Sequence, residues 1–407
     1  MAGVFDRLVG QHEVEVGLIA AATAARGAAE TTDGATELAE GSGSRMTHSW
    51  LFTGPPGSGR SVGALCFAAA LQCTGDGVPG CGRCHACTTV LAGTHGDVRR
   101  VIPEGLSISV KEMREIVQTA SRRPSTGRWQ VMIIEDADRL TEGAANALLK
   151  VVEEPPERTV FLLCAPSVDP EDISVTLRSR CRHVGLFTPS AEAIAGVLRE
   201  RDGLDEQSAR DAARISGGHV GRARRLATDE AARRRRDQGL ALASAATRYS
   251  TRYSLAEELV RELEVEAKEL NAEINERETE ELRTALGAGG TGKGAAAALR
   301  GSAGVLKDLE RRQKSRETRM KRDALDRALI DLAGLYRDAL AAAFGSDATA
   351  NHPDRAEQAR KMAGVGSPAA LLRCIEAVLD CREALDTNVK PQFAVAAMMA
   401  RLGAELG

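Results

Sequence analysis

Short apolar runs alternate with helix-like patterns over the first 187 residues. Apolar runs of strand length occupy residues 48–53, 98–101, 129–138 and 159–165. Between them, apolar residues recur with a helical period at residues 62–71, 110–121 and 142–152, and a helical segment precedes them at residues 4–26. Strands that alternate with helices predict a parallel sheet with helices on both faces. Residues 27–47, rich in Gly, Ala, Thr and Ser, are predicted to form a loop or an insertion.

The pattern changes near residue 188, where the strand-like runs stop. Residues 190–227 and 239–400 are almost wholly helical in pattern. Residues 255–325 are charged and helical at both ends, and their middle, LGAGGTGKGAAAALRGSAG, is typical of a flexible connection. We therefore predict three domains. They are an α/β domain at 1–187, a small helical domain at 188–230 and an all-helical domain at 231–407 with an inserted hairpin at 255–325.

The composition is that of a globular chain without a strong charge bias. Hydrophobic residues are 43% and charged residues 27%, and the formal net charge is −3. Nothing in this balance requires nucleic acid or a membrane. No apolar run approaches the roughly 20 residues that span a bilayer, and charges interrupt the first apolar residues, unlike in a signal peptide. We expect a cytoplasmic chain with no membrane partner, whose nine cysteines are thiols or metal ligands.

The stretch GPPGSGRS, residues 54–61, has the outline of a phosphate-binding loop. It stands between a predicted strand and a predicted helix, where backbone N–H groups at the helix N-terminus bind phosphate. Gly54, Gly57 and Gly59 allow close approach of the backbone, and Ser61 is the expected Mg²⁺ ligand. Arg60 replaces the usual lysine, and its planar guanidinium is not interchangeable with an ammonium group. A working ATP site and a loop kept only for structure both remain open.

The apolar run that follows ends in two acids, Glu135 and Asp136. Motor ATPases usually carry Asp and then Glu here, the first for Mg²⁺ and the second for the attacking water. The order is reversed in this chain, and a displacement of about 1 Å in a catalytic group can cost on the order of 100-fold in rate. The reversed pair therefore favours a site that does not hydrolyse ATP. Asp138 is expected to cap the helix that follows.

Four cysteines, Cys73, Cys81, Cys84 and Cys87, form the pattern C-x7-C-x2-C-x2-C. Four thiolates at this spacing in a cytoplasmic chain fit a tetrahedral structural zinc site, which leaves no open position for catalysis. An iron–sulfur cluster is the alternative. The remaining cysteines lie in apolar or helical contexts and are predicted to be buried core thiols: Cys66, Cys164, Cys181, Cys374 and Cys381.

Residues 141–187 resemble the clamp-loader branch of the AAA+ family. The run NALLK that begins at Asn146, the EEP that follows it, and the triplet Ser-Arg-Cys at 179–181 carry this resemblance. A zinc module inserted after the phosphate loop, at about 66–97, narrows it to the loader subunits of the bacterial replicase, delta-prime and gamma/tau. Residues 385–402 look like the last helices of their collar. The resemblance covers about residues 4–230 and 326–403, and implies a lid at 188–230 and an oligomerisation collar at 231–407.

Several departures from the motor pattern favour the delta-prime type over gamma/tau. Besides Arg60 and the reversed acids, the family's Gly-Gly-Ser-x-Arg lid pattern falls on residues 217–221 and puts Gly221 where motor subunits carry a nucleotide-sensing arginine. Ala165 and Pro166 stand where a polar residue is expected after the run FLL. Four departures in one site indicate that selection for hydrolysis has been lost.

The resemblance implies a hetero-pentamer in which each ATP lies at a subunit boundary. A delta-prime-type subunit is a stator that completes a neighbour's site with an arginine finger, here Arg180, and has no independent catalysis. The implied partners are gamma/tau motor subunits, a delta subunit, the sliding clamp and primed DNA, within the DNA polymerase III holoenzyme. The implied cofactor is structural zinc. ATP and Mg²⁺ are cofactors only if the degenerate loop still binds them.

Other functions stay open. An active gamma/tau-type ATPase requires Arg60 to act as the lysine. A zinc-ribbon nucleic-acid-binding protein would use the cysteines, although the near-neutral charge and the lack of aromatic residues around them argue against it. Arg180 itself is either a finger or part of an interface ion pair. The basic run 233–236 is either a solvated helix face or a contact to DNA phosphates.

Overall fold

The computed structural model describes residues 3–30, 46–285, 303–387 and 389–407. The chain divides into two compact units, Met1–Arg224 and Arg225–Gly407. Most of the predicted loop at 27–47 and most of the Gly/Ala stretch of the predicted hairpin lie outside the described residues. The predicted bounds of the α/β domain, lid, collar and insertion stay predictions.

A five-stranded sheet organises the first unit. Its strands are β1 (Ser49–Thr53), β2 (Val98–Val101), β3 (Gln130–Ile134), β4 (Thr159–Ala165) and β5 (Arg182–Gly185). They lie in the order β2-β3-β4-β1-β5, and every pair is parallel. The predicted parallel sheet is therefore confirmed, with the fifth strand as an addition. Because all strands run the same way, the residues that follow β1, β3 and β4 meet at one edge of the sheet.

The helices of this unit agree closely with the predicted ones. The first helix runs to residue 30, four residues beyond its predicted end at residue 26, and a short 3-10 turn, Val4–Arg7, precedes it. The helices among the described residues are α1 (His12–Glu30), α2 (Arg60–Gln72), α3 (His85–Ala92), α4 (Val110–Ala120), α5 (Glu142–Glu153), α6 (Val175–Arg178), α7 (Ala191–Asp202), α8 (Glu206–Arg214) and α9 (Val220–Thr228), the last of which crosses the boundary between the units.

Alternate residues of the central strands enter two separate cores, one on each face of the sheet. On β1, Trp50 and Phe52 pack with α1 and α2, whereas Leu51 packs with α4 and α5. The same alternation continues along β3 and β4. Strands buried on both faces must be apolar at nearly every position, which explains the continuous apolar runs of the sequence. Trp50 and Trp129 are 2% and 1% exposed, as expected for packing residues.

In the second unit, the described residues form helices joined by short connections, with no strand among them. Its helices are α10 (Glu230–Ala245), α11 (Arg252–Ala285), α12 (Ala303–Ala343), α13 (Ala356–Val365), α14 (Pro368–Asp386) and α15 (Pro391–Leu406). Leucines and alanines of these helices share one core. Toward their outer ends α11 and α12 are joined by polar contacts, in which Arg316 donates to Asn275 and Glu278. A mostly helical C-terminal region agrees with the expected fold class.

The burial of the cysteines and the length of the apolar helices can be compared with what the sequence predicts. Of the five cysteines predicted to be core thiols, four are buried and Cys181 is only half-buried. In the described ranges, no single helix has the length and apolar character needed to cross a membrane; one bent pair, Pro353–Val365 with Pro368–Asp386, meets those two criteria jointly.

Candidate functional site

The phosphate loop has the backbone that its glycines predict. It joins the end of β1 to the start of α2, and Gly59, the residue before α2, has a left-handed conformation with φ 94° and no side-chain cap. The first N–H groups of α2 are therefore open toward the loop. A Cβ on Gly54 would lie 2.5 Å from the carbonyl oxygen of Leu186, so only glycine fits where the loop passes the end of β5.

The loop is covered by a residue from the far end of the same unit. A Cβ on Gly57 would lie 2.6 Å from Cβ and 2.7 Å from Cα of His219, the residue directly before α9. The Nδ1 atom of His219 accepts the backbone N–H of Arg222, which fixes the ring at the helix start. Gly57 thus makes room for His219. This contact lies on the region that the resemblance identifies as the lid.

Gln11 is a further member of the site that sequence reasoning missed. Its side chain is paired with the peptide groups on both sides of Phe187, because Nε2 donates to the Phe187 carbonyl at 2.6 Å and Oε1 accepts the Phe187 N–H at 3.3 Å. Nε2 also lies 3.4 Å from the carbonyl oxygen of Ser58 in the phosphate loop. Gln11 is 4% exposed, so α1, the loop and the residue after β5 are tied together by one buried amide. A lone glutamine carries no sequence signal for such a role.

Some groups of the loop have unmet hydrogen-bonding capacity. The Nη1 atom of Arg60 and the hydroxyl of Ser58 are buried without a hydrogen-bond partner among the described residues. Asp138 Oδ1 is in the same condition, and burial together with the charge of Asp136 raises the pKa of this carboxyl. Asp138 does not cap α5 as expected, because Thr141 does so by accepting the N–H of Ala144. Two donors without a partner beside a helix N-terminus can donate hydrogen bonds to a bound anion.

The first acid after β3, Glu135, stands where motor ATPases carry the Mg²⁺ carboxylate, and it is bound to another residue. Arg100 on β2 donates to Glu135 Oε1 through Nη2 at 2.6 Å and through Nε at 3.0 Å. The Glu135 side chain is 14% exposed and that of Arg100 is 36% exposed, so the carboxylate is the less solvated partner of this ion pair. A carboxylate held in this way is not free to help hold Mg²⁺.

The expected Mg²⁺ ligand is also engaged. The Ser61 side chain is hydrogen-bonded to the thiol of Cys164, whose pKa burial raises to about 12. Ser61, which is half-buried, therefore lies beside β4. The loop fits a phosphate group in part, through Arg60 and the helix N-terminus, but Ser61 and Glu135 do not fit a hydrolytic Mg²⁺ site.

The four predicted metal ligands lie together. The sulfur atoms of Cys73, Cys81, Cys84 and Cys87 are all within 4.8 Å of one another, and those of Cys73 and Cys84 are 4.0 Å apart. Tetrahedral zinc with bonds of about 2.3 Å requires sulfur separations slightly below 4 Å. Cys73 follows α2 directly, and Cys84 and Cys87 stand at the first turn of α3. The donor set and its spacing fit structural zinc.

Local backbone donors support a thiolate in this cluster. The N–H groups of Cys84 and Cys87 point at the sulfur atoms of Cys81 and Cys84, each at 3.4 Å. Burial raises the pKa of the Cys84 thiol, but hydrogen bonds from the backbone of Cys87 and Thr74 outweigh it and bring the pKa to about 6. A thiolate is the form that binds metal.

Arg180 lies on the surface, two residues beyond α6. Its Nη1 donates to the carbonyl oxygen of Thr176 at 2.9 Å and to the hydroxyl of Ser179 at 3.3 Å. Its Nη2 is 2.6 Å from Oε1 of Glu153, the last residue of α5. The two side chains are 39% and 41% exposed. The guanidinium is thus oriented by its own chain and remains accessible from outside, and sequence reasoning missed its carboxylate partner.

The basic run 233–236 is engaged within the second unit. Arg233 donates to the last carbonyls of α9, and Arg236 binds both oxygens of Asp354 at 2.8 Å. Arg234 pairs with Glu230, and Arg235 pairs with Asp229 and Glu266. These contacts favour the interpretation of the run as structural over that of a phosphate-binding surface.

Together, the parallel sheet, the loop after β1 and the acids after β3 define a P-loop domain of the AAA+ type. Residues 38–190 match the family described as "DNA polymerase III, delta subunit". The tau subunit of DNA polymerase III from Bacillus subtilis is 35% identical over 157 residues, which are 38% of this chain and 27% of that protein. The delta-prime subunit from Escherichia coli is 34% identical over 182 residues, 44% of this chain and 54% of that protein.

These matches show that the α/β region of the chain is similar to subunits of DNA polymerase III. The matched parts span between about a quarter and about half of these two relatives. Delta-prime and tau relatives match with nearly equal identity, so the similarity does not separate the two types. A Thermotoga maritima gamma-subunit-related structure covers 88% of this chain and 95% of its own, at 15% identity and a TM-score of 0.38, too low for an argument.

Proposed function

We propose that this chain is a delta-prime-type stator of the replicative clamp loader. It supports loading of the sliding clamp on primed DNA and offers Arg180 to the ATP site of a neighbouring motor subunit. The observation that carries the proposal is the ion pair between Glu135 and Arg100, since it removes the carboxylate that a motor subunit needs for hydrolysis. A stator also requires an arginine on its surface that a neighbouring subunit can reach, and Arg180 is 39% exposed.

The closed state of the loop supports the same role. His219 lies against Gly57, and Gln11 ties the loop to the residue after β5. These contacts between the chain's own residues hold the loop, α1 and the start of α9 together. A subunit held in this way does not need to change shape in an ATP cycle, as a stator does not.

Arg180 acts in this proposal through charge. Negative charge spreads over the transferring phosphoryl group, and a guanidinium supplied by another subunit stabilises it by about 10³–10⁵ in rate in well-studied cases. The contacts with Thr176 and Ser179 orient the side chain before it meets the neighbour. The partners in the proposed complex are gamma/tau motor subunits and a delta subunit.

The test is ATP hydrolysis by the reconstituted loader, stimulated by clamp and primed DNA. We expect Arg180→Ala to lower kcat at least tenfold for the site that this chain completes, and Arg60→Ala to leave the rate unchanged. Each variant should first be shown to assemble with its partners, since a lost complex also lowers the rate. Full activity of Arg180→Ala would refute the finger.

A second candidate function is that of a gamma/tau-type ATPase. The unmet donors of Arg60 and Ser58 favour it, because buried donors at a helix N-terminus are satisfied by an anion. Titration of the isolated chain with ATP, with and without Mg²⁺, separates binding from turnover. Binding without turnover is compatible with a stator, whereas turnover that Arg60→Ala abolishes would identify a motor.

We also propose that the four clustered cysteines hold one structural zinc ion. All four positions around the metal would be taken by thiolates, so zinc has no catalytic role here. The ion would link the end of α2 to the start of α3 and so stabilise the segment between them. Metal analysis of the purified chain should give about one zinc per chain.

A further inference from the structure

The ion pair between Arg180 and Glu153 joins the ends of two helices. Glu153 is the last residue of α5, where the negative end of the helix dipole disfavours a carboxylate. Arg180 neutralises this carboxylate at 2.6 Å. In the free chain the ion pair with Glu153 therefore holds Arg180, because the Glu153 carboxylate is less stable at the helix end without the arginine.

The same geometry makes the pair exchangeable. Both side chains are about 40% exposed, and exposed ion pairs contribute little net free energy. A buried pair elsewhere in the chain shows the contrast: the Arg236 side chain is 5% exposed and binds Asp354 through both Nη atoms. A phosphate group carries more charge than a carboxylate and accepts the same guanidinium, so it can displace Glu153 but not Asp354.

We propose that Glu153 is a latch for Arg180, holding it while the neighbouring site is empty and yielding it to a nucleotide phosphate. This rests on the proposed role of Arg180 as a finger. The guanidinium keeps its contacts to Thr176 and Ser179 and exchanges one anion for another. Glu153 thereby competes with the neighbour's nucleotide for Arg180. The stronger the Arg180–Glu153 ion pair, the weaker the apparent affinity of the neighbouring site for its nucleotide.

The variant that tests the latch is Glu153→Gln, which keeps the side-chain length and an acceptor but removes the charge. We expect the apparent KM for ATP of the reconstituted loader to fall by about 1.5- to fivefold, the range that exposed ion pairs provide, with kcat unchanged. Glu206→Gln is the matched control, because it also breaks an exposed carboxylate–arginine pair, with Arg210 on α8. It should leave both constants unchanged.

A double variant separates the latch from the finger. In an Arg180→Ala background, Glu153→Gln should no longer change KM, because the carboxylate acts only through the arginine. If Arg180→Ala lowers kcat but Glu153→Gln leaves KM unchanged or raises it, the latch is wrong and the finger stands. If Glu153→Gln lowers kcat, the carboxylate positions the finger and the latch is wrong. If Arg180→Ala changes nothing, the proposed function itself fails.

Discussion

Two glycines of the phosphate loop share one backbone conformation but differ in their surroundings. Gly57 and Gly59 have φ of 93° and 94°, a region that costs an L-residue about 1–2 kcal/mol. A Cβ on Gly59 would meet only Leu8, at 3.7 Å, an ordinary contact. A Cβ on Gly57 would lie 2.6 Å from a side-chain atom and 2.7 Å from a backbone atom of His219. The two alanine variants therefore share the backbone strain, and only Gly57→Ala adds an overlap.

We expect Gly59→Ala to lower the free energy of unfolding by about 1–2 kcal/mol. Gly57→Ala should lower it by a further amount of about 1–3 kcal/mol, because the overlap involves the backbone of His219 and forces a shift. If the shift releases His219, the extra loss equals the free energy that the contact provided. In either case the difference between the variants measures the contact of His219 with the loop.

The assay is urea unfolding followed by tryptophan fluorescence. The chain has only two tryptophans, Trp50 and Trp129, and both are buried in the core of the first unit, so the signal reports that unit alone. Equal losses for the two variants would refute the reasoning, because they would mean that His219 does not lie on the loop. A larger loss for Gly59→Ala would refute it as well.

Two further predictions concern the same unit and the same fluorescence signal. The Asp97 carboxylate is 3% exposed and accepts hydrogen bonds from the backbone and side chains of Ser125 and Thr126 and from the backbone of Gly127. These hydrogen bonds outweigh the effect of burial and hold the pKa of Asp97 well below its ordinary value. Its stabilisation is therefore complete above the ordinary pKa, about 3.9, and is lost as the pH falls below that value. Asp97→Asn should cost about 2–4 kcal/mol at pH 7 and flatten the loss of stability between about pH 4 and 2; an unchanged acid dependence would contradict this. Removal of zinc by a chelator, or Cys84→Ser, should lower the urea midpoint, and a chain that is free of zinc as purified yet equally stable would contradict the zinc site.

The parts of the fold that the sequence predicts are those that depend on local pattern. Strands buried on both faces need apolar residues throughout, so β1, β3 and β4 were visible as runs. The fifth strand lies at the edge of the sheet, and its residues 182–185 are mostly exposed, which leaves no apolar run to detect. The cysteine cluster was predictable because three of its ligands are close in sequence.

The parts that were not predicted depend on contacts between distant segments. The β2–β3 register places Arg100 opposite Ile133. Glu135, directly after β3, lies on the same face of the sheet as Ile133 and is therefore within reach of Arg100. Only this register reveals that the carboxylate has an arginine partner. The contact of His219 with Gly57 and the role of Gln11 likewise depend on how the loop, α1 and α9 are arranged. Sequence motifs identify the groups of a site, but not which of them are already engaged.

The exposure of the two arginine–carboxylate pairs decides what each one can do. Glu135 is 14% exposed in its pair, and removal of Arg100 would leave a poorly hydrated carboxylate, which is costly. That pair therefore keeps Glu135 from serving a Mg²⁺ ion at the loop. The pair of Arg180 with Glu153 is about 40% exposed, so water can hydrate both partners when they separate. The same chemistry thus fixes one carboxylate in place and leaves one arginine available, as a subunit that lends its charge to a neighbour requires.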